Sequence, residues 1–152
     1  LKSLALCDTA AVMPEETQPI WQQRIDAAAE TGMAGQVDET LERWFRPEYL
    51  QLNPPEVEMI RQQILDTPVA GYIGCCEAIR RLQYLERLAQ IKLPTLIMVG
   101  EEDPGTPVAA SEAMHTRISG SKLVILPGAR HLSILEQASA FNTALMEFLT
   151  QN

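Results

Sequence analysis

Two titratable side chains stand a few residues beyond apolar runs. Asp103 follows the run 95–99 by four residues, in the turn Gly100-Glu101-Glu102-Asp103-Pro104-Gly105. His131 follows the run 123–126 by five residues, after Pro127-Gly128-Ala129-Arg130. An unbroken apolar run bounded by turn residues fits a strand buried on both faces, as in a parallel sheet. In such sheets, ligands and catalytic groups gather beyond the carboxyl ends of the strands. If the two runs are neighbouring strands, their loops bring a carboxylate beside an imidazole. The acid then accepts from one ring nitrogen and leaves the other free as a general base. Each residue alone has a plainer reading, since Asp-Pro-Gly is a common turn sequence and a lone loop histidine is an ordinary surface group. Their equivalent placement at two strand ends is what points to a site.

An Asp–His pair needs a nucleophile. In the chain order nucleophile, acid, histidine, it lies upstream in a Gly-x-Ser-x-Gly turn between a strand and a helix, and no such motif occurs here. Ser3 falls inside the first apolar run, while Ser111, Ser119, Ser121, Ser133 and Ser139 all come after Asp103. Cys7 ends a strand without a Gly-flanked turn. His115 falls on a helix expected to be exposed, and it is read as non-catalytic. Cys75 and Cys76 are adjacent, so the Cys-x-x-Cys metal spacing is absent; both read as small buried hydrophobes.

The elements that must carry these residues alternate. Residues 3–7 read as a strand, and a helical stretch follows. Ile20, Trp21, Arg24, Ile25 and Ala28 mark a helix stopped at Gly32; Val37, Leu41, Trp44 and Phe45 mark a second, closed by Pro47. Val57, Ile60, Ile64 and Leu65 line a third, which begins at Pro55 and stops at Thr67-Pro68. Helices are expected over 69–82 and 85–89. After Leu93-Pro94 come strand 95–99, helix 108–118, strand 122–126 and helix 139–149. This order implies an α/β fold with parallel strands and right-handed crossovers. The helical stretch far exceeds what one crossover requires, so it is expected to project as a lid. The expected organisation is core strand and loop over 1–12, helical cap or lid over 13–90, and a C-terminal core over 91–152 carrying the acid and the histidine.

Composition narrows the function classes. Among 152 residues, 12 Lys and Arg face 20 Asp and Glu, a net charge of −8 that argues against binding a phosphate backbone. Apolar residues at 46% are too many for a disordered chain. No apolar stretch approaches the roughly 18 residues of a membrane span, and the start does not read as a signal peptide. Three cysteines form no disulfide framework, so a reducing cytoplasmic setting is the expectation. The chain opens at Leu1, without Met and inside a strand, which leads to the expectation of a fragment.

The segments Val99-Gly100-Glu101-Glu102-Asp103-Pro104-Gly105-Thr106-Pro107 and Leu126-Pro127-Gly128-Ala129-Arg130-His131-Leu132-Ser133-Ile134-Leu135-Glu136-Gln137 resemble the acid and histidine segments of the α/β-hydrolase superfamily. Within it, Leu6-Cys7-Asp8-Thr9-Ala10-Ala11, Trp21-x-x-Arg24-Ile25, Glu42-Arg43-Trp44-Phe45 and Gly71-Tyr72-x-x-Cys75-Cys76 resemble the 3-oxoadipate enol-lactonases. The likeness runs the length of the chain and matches the second half of such an enzyme: its last strands with the cap. The resemblance implies that Asp103 is the triad acid and His131 the general base, with a Ser nucleophile and oxyanion donors in a missing N-terminal half. It implies hydrolysis of a small-molecule ester or lactone through an acyl-enzyme, without metal or organic cofactor; the alternatives are another esterase or a haloperoxidase-like enzyme of the superfamily, or, were the chain full-length, a non-catalytic binding module. An isolated chain of this kind is expected to be inactive, and to self-associate or pair with its missing half through the open edge at 4–7. Trp21, Trp44 and Tyr72 are candidate substrate-binding residues under the cap, although the helical spacing of Trp44 and Phe45 fits the cap's own core better. A dicarboxylate product calls for a cation, and Arg24, Arg43, Arg80, Arg81 and Arg130 are all candidates.

Overall fold

The central strand explains the rest of the sheet. In the computed structural model, which describes residues 1–152, Thr95–Gly100 forms a strand (β2) in which every residue is buried. Leu4–Cys7 (β1) pairs with one side of β2 in parallel, with Leu4 opposite Thr95 and Cys7 opposite Met98. Lys122–Leu126 (β3) pairs with the other side, also in parallel, with Leu96 opposite Lys122 and Gly100 opposite Leu126. The sheet order is therefore β1-β2-β3. Because successive side chains point to opposite faces, β2 feeds two separate cores. Leu96 and Met98 pack with Leu126, Ala129, Phe141 and Phe148 on one face. Ile97 packs with Ala11, Met114 and Ile118 on the other. A strand in this position cannot alternate apolar and polar residues, which is why its sequence is an unbroken apolar run.

The chain divides into two compact units. One comprises Leu1–Ala11, Arg43–Arg46 and Tyr84–Asn152; the other comprises Val12–Glu42 and Pro47–Gln83. The second unit holds Gln18–Thr31 (α1), Val37–Trp44 (α2) up to Glu42, Pro47–Leu52 (α3), Pro55–Asp66 (α4) and Val69–Ile79 (α5). Its interior is made of Ile25, Ala28, Met33, Val37, Leu41, Val57, Ile60, Ile64 and Cys76, all buried. α1 stops where Gly32 turns into the left-handed region at φ +70°. The Gln18 side-chain amide donates to the Arg80 carbonyl at 2.7 Å.

The sheet unit adds a 3₁₀ stretch at Leu85–Gln90, then Val108–Arg117 (α6), a single turn at Ser133–Glu136 (α7) and Ala138–Gln151 (α8). Phe141 and Phe148 of α8 are both buried against β2 and β3. Several local expectations are corrected. The second helix stops at Trp44, before Pro47 as expected, but Pro47 also opens the unexpected α3, since proline fits the first turn of a helix, where its missing N–H costs nothing. α5 ends at Ile79 rather than at 82, while the short helix expected over 85–89 is present as the 3₁₀ stretch Leu85–Gln90. Cys76 is buried, but Cys75, the preceding residue on the helix, is exposed. No helix is long and apolar enough to cross a membrane.

Candidate active site

The parallel register brings Gly100 and Leu126 level at the carboxyl end of the sheet, so the turns that follow β2 and β3 start side by side. The turn after β2 is built around Asp103. Its Oδ1 accepts the backbone N–H groups of Gly105 at 2.8 Å and Thr106 at 3.0 Å, the Asx-turn arrangement that Asp-Pro-Gly favours. Its Oδ2 accepts the Thr106 hydroxyl at 2.7 Å and lies 2.8 Å from His131 Nδ1. The Asp103 side chain is fully shielded from solvent, whereas that of His131 is 27% exposed.

Burial pushes the Asp103 carboxyl upward. The hydrogen bond and charge of His131, with the Thr106 bonds, outweigh it and hold the carboxyl below the ordinary aspartate range. An ionised acid carries no proton to give, so His131 Nδ1–H is the donor in this pair. That tautomer leaves a lone pair on Nε2. A buried carboxylate orienting a partly exposed imidazole with a free Nε2 can accept a proton from a nucleophile and return it to a leaving group.

The loop carrying His131 is fixed on each side. Glu136, whose side chain is fully buried, accepts the Arg130 N–H at 2.6 Å through Oε2 and the Arg46 N–H at 2.9 Å through Oε1. Leu132 N–H donates to the Trp44 carbonyl at 3.1 Å. These bonds tie the segment Arg43–Arg46 to the histidine loop and bring the Trp44 ring to 5.9 Å from the imidazole. Phe45, beside it, is fully buried. Trp21 and Tyr72 belong to the helical unit. There Arg24 lies over the Trp21 ring at 4.7 Å, and the Tyr72 hydroxyl donates to Gln36 Oε1 at 3.4 Å.

Four polar residues of this region have no place in the sequence reading of the site. Thr106 has a signal in the Asp-x-x-Thr spacing of an Asx turn. Asp8 and Ser133 have none, because their partner residues are remote in sequence, and Glu136 has none because its bond to Arg46 spans 90 residues and its bond to Arg130 follows no recognised local spacing. Asp8 Oδ1 accepts the Gly100 N–H at 2.9 Å, and Oδ2 accepts the Ser133 hydroxyl at 2.6 Å. Burial and the neighbouring Asp8 charge push the Cys7 thiol up, away from the thiolate form a nucleophile needs. Ser133 is buried, with its hydroxyl given to Asp8. His115 is exposed and bonded to Ser121 at 2.8 Å. No group of three or more His, Cys, Asp or Glu is arranged to hold a metal ion.

A parallel sheet with helices on both faces, an acid after one strand and a histidine after the next define an α/β-hydrolase core. The family model described as TAP-like protein, an α/β-hydrolase family, matches residues 74–152, and the chain belongs to the α/β-hydrolases. It is 32% identical to 3-oxoadipate enol-lactonase 2 of Acinetobacter baylyi over 140 residues, which cover 92% of this chain and 51% of that protein. Among solved structures, the enol-lactonase from Burkholderia xenovorans LB400 superposes with a TM-score of 0.91 at 33% identity, covering 97% of this chain and 56% of that one. A thermophilic esterase from Thermogutta terrifontis superposes with a TM-score of 0.87 at 27% identity, covering 99% of this chain and 56% of that one. The chain thus spans about half the length of the relatives it matches.

Proposed function

We propose that these residues form the acid–base half of a serine-type hydrolase acting on a carboxylic ester or lactone, with an enol-lactone of the 3-oxoadipate kind as substrate. The observation that carries this reading is the 2.8 Å contact between His131 Nδ1 and the buried Asp103 carboxylate. His131 Nε2 takes the proton of a serine hydroxyl as that oxygen attacks the substrate carbonyl, and the imidazolium is stabilised by Asp103. It then returns the proton to the leaving oxygen, and water repeats the cycle on the acyl-enzyme. The serine and the oxyanion donors come from polypeptide outside these 152 residues, and the relatives' greater length supports that assignment. Trp44, beside the imidazole, presents an apolar wall to the substrate. On this reading the 152-residue chain alone does not turn over esters.

The similarity to a thermophilic esterase supports a second reading, a simple carboxylesterase. The test is hydrolysis of 3-oxoadipate enol-lactone against an aryl acetate by the polypeptide that carries both these residues and the nucleophile. Preference for the lactone by at least about tenfold in kcat/KM supports the first reading, and the reverse preference supports the second. Failure to hydrolyse either, with no labelling by a serine-directed fluorophosphonate, overturns both.

A further inference from the structure

We infer that Asp8 is a positioning residue whose one carboxylate locks the turn carrying Asp103 to the loop carrying His131; its catalytic consequence rests on the hydrolase reading above. Asp8 directly follows β1, and its N–H extends the strand ladder by donating to the Met98 carbonyl at 2.9 Å. Its backbone then turns into the left-handed region at φ 45°. Asp and Asn enter that region more readily than other residues with a side chain. This turn directs the carboxylate across the end of the sheet.

The two oxygens divide their work. Oδ1 accepts the N–H of Gly100, where the acid turn begins, and the Gly100 carbonyl in turn accepts the Asp103 N–H at 3.2 Å. Oδ2 accepts the hydroxyl of Ser133, two residues beyond His131, at 2.6 Å. Asp8 therefore bridges positions 92 and 125 residues away in the chain. One of them, Gly100, belongs to the turn carrying Asp103, and the other, Ser133, to the loop carrying His131. The charges facing it are His131 and Asp103. Burial of the carboxylate is unfavourable for its charged form, and the two donors offset only part of that. A half-buried acid in a sparsely populated backbone conformation is unfavourable by itself, and such features persist where the surroundings demand them. Here the demand is registration of the two turns.

The experiment compares Asp8→Ala, Asp8→Asn, Ser133→Ala and the Asp8→Ala/Ser133→Ala double variant in the polypeptide that carries the nucleophile. Two readouts are used: steady-state kinetics and the Nδ1–H resonance of His131 in protein labelled with ¹⁵N-histidine. Asp8→Ala is expected to lower kcat by about 10- to 100-fold with KM within about twofold, since small misplacements of catalytic groups cost on that order. Ser133→Ala loses less, and the double variant is no worse than Asp8→Ala. Asp8→Asn retains activity within about threefold, because its Oδ1 accepts from Gly100 and its Nδ2 donates to the Ser133 oxygen. In Asp8→Ala and Ser133→Ala the Nδ1–H signal shifts or loses protection from exchange, and Asp8→Asn restores it. An unchanged signal in Asp8→Ala, independent additive losses in the double variant, or an Asp8→Asn defect equal to that of Asp8→Ala would overturn the inference. The resonance needs no turnover. If it responds as stated while the wild-type polypeptide hydrolyses nothing, the positioning role stands and the hydrolase reading falls.

Discussion

Gly100→Ala is the substitution with the sharpest expected effect. Gly100 ends β2, and a Cβ placed on it would lie 2.2 Å from the Arg130 carbonyl oxygen, 2.5 Å from the Ala129 carbonyl oxygen and 2.8 Å from the Ala129 carbonyl carbon. All three are backbone atoms of the loop leading to His131, so no side chain can swing aside. Real Cβ atoms keep at least 3.0 Å from such neighbours. The loop must therefore retreat by roughly 0.8 Å in an interior packed too tightly to absorb the shift elsewhere. Overpacking of this kind costs about 1–3 kcal/mol. Because Arg130 immediately precedes His131, the same movement opens the 2.8 Å contact with Asp103. A shift near 1 Å at a catalytic pair lowers kcat on the order of 100-fold. The assay is urea denaturation, together with kcat on whichever proposed substrate, lactone or ester, is turned over by the polypeptide that also carries the nucleophile. Gly74→Ala is the control: Gly74 lies in α5, where an added methyl meets nothing within 4 Å, and it should gain about 0.5–1 kcal/mol from helix propensity with no change in kcat. Wild-type stability and wild-type kcat in Gly100→Ala would refute the close-approach reasoning.

Other substitutions probe the supports. Glu136→Gln leaves one of the Arg46 and Arg130 N–H groups without an acceptor, so unfolding in urea should show a loss of about 1–3 kcal/mol. Thr106→Val removes the hydroxyl that donates to the fully shielded Asp103 carboxylate, at a cost of about 1.5–3 kcal/mol at neutral pH. Because Asp103 ionises below its unfolded-state value, the stability it contributes is present above about pH 4 and is lost as pH falls through the lower folded value. The acid limb of the pH–stability curve for Thr106→Val should accordingly move to higher pH. Asp8 has the opposite sign: its folded value is raised, so its charged form weakens the fold at neutral pH and protonation relieves this. Asp8→Asn should therefore raise Tm at pH 7, with the gain fading as pH falls through the raised folded value and gone below about 4.

The parts of this structure that are legible in the sequence are those specified by local pattern. Residues 95–99 fit only a strand buried on both faces, and the same logic places β3 and, through the repeated order of strand and helix, the parallel sheet. Gly32 and Pro55 mark helix ends correctly because each acts through its own backbone. Local rules fail where one residue type has two uses. Pro47 reads only as a stop, although it follows one helix end and also starts the next helix, and Cys75 reads as buried because α5 is apolar on too many sides to reveal its inner face. The one-turn α7 is too short to show a period. Long-range partners are invisible. Asp8 looks like the polar end of a strand, and nothing near it announces a bond to Ser133, 125 residues away. The contact of Trp44 with the imidazole likewise depends on Glu136 accepting from Arg46, across 90 residues.

The most direct measurement is kcat for Asp103→Asn in the polypeptide that carries these residues together with the nucleophile. Asparagine preserves the Thr106 and Gly105 turn contacts through one oxygen, but it presents the imidazole with an amide in place of a carboxylate and favours the wrong tautomer. A fall in kcat of about 10³- to 10⁴-fold, with KM nearly unchanged and the fold intact, is the expected result. A variant that keeps kcat within about tenfold of wild type would contradict the assignment of Asp103 and His131 as the acid–base pair.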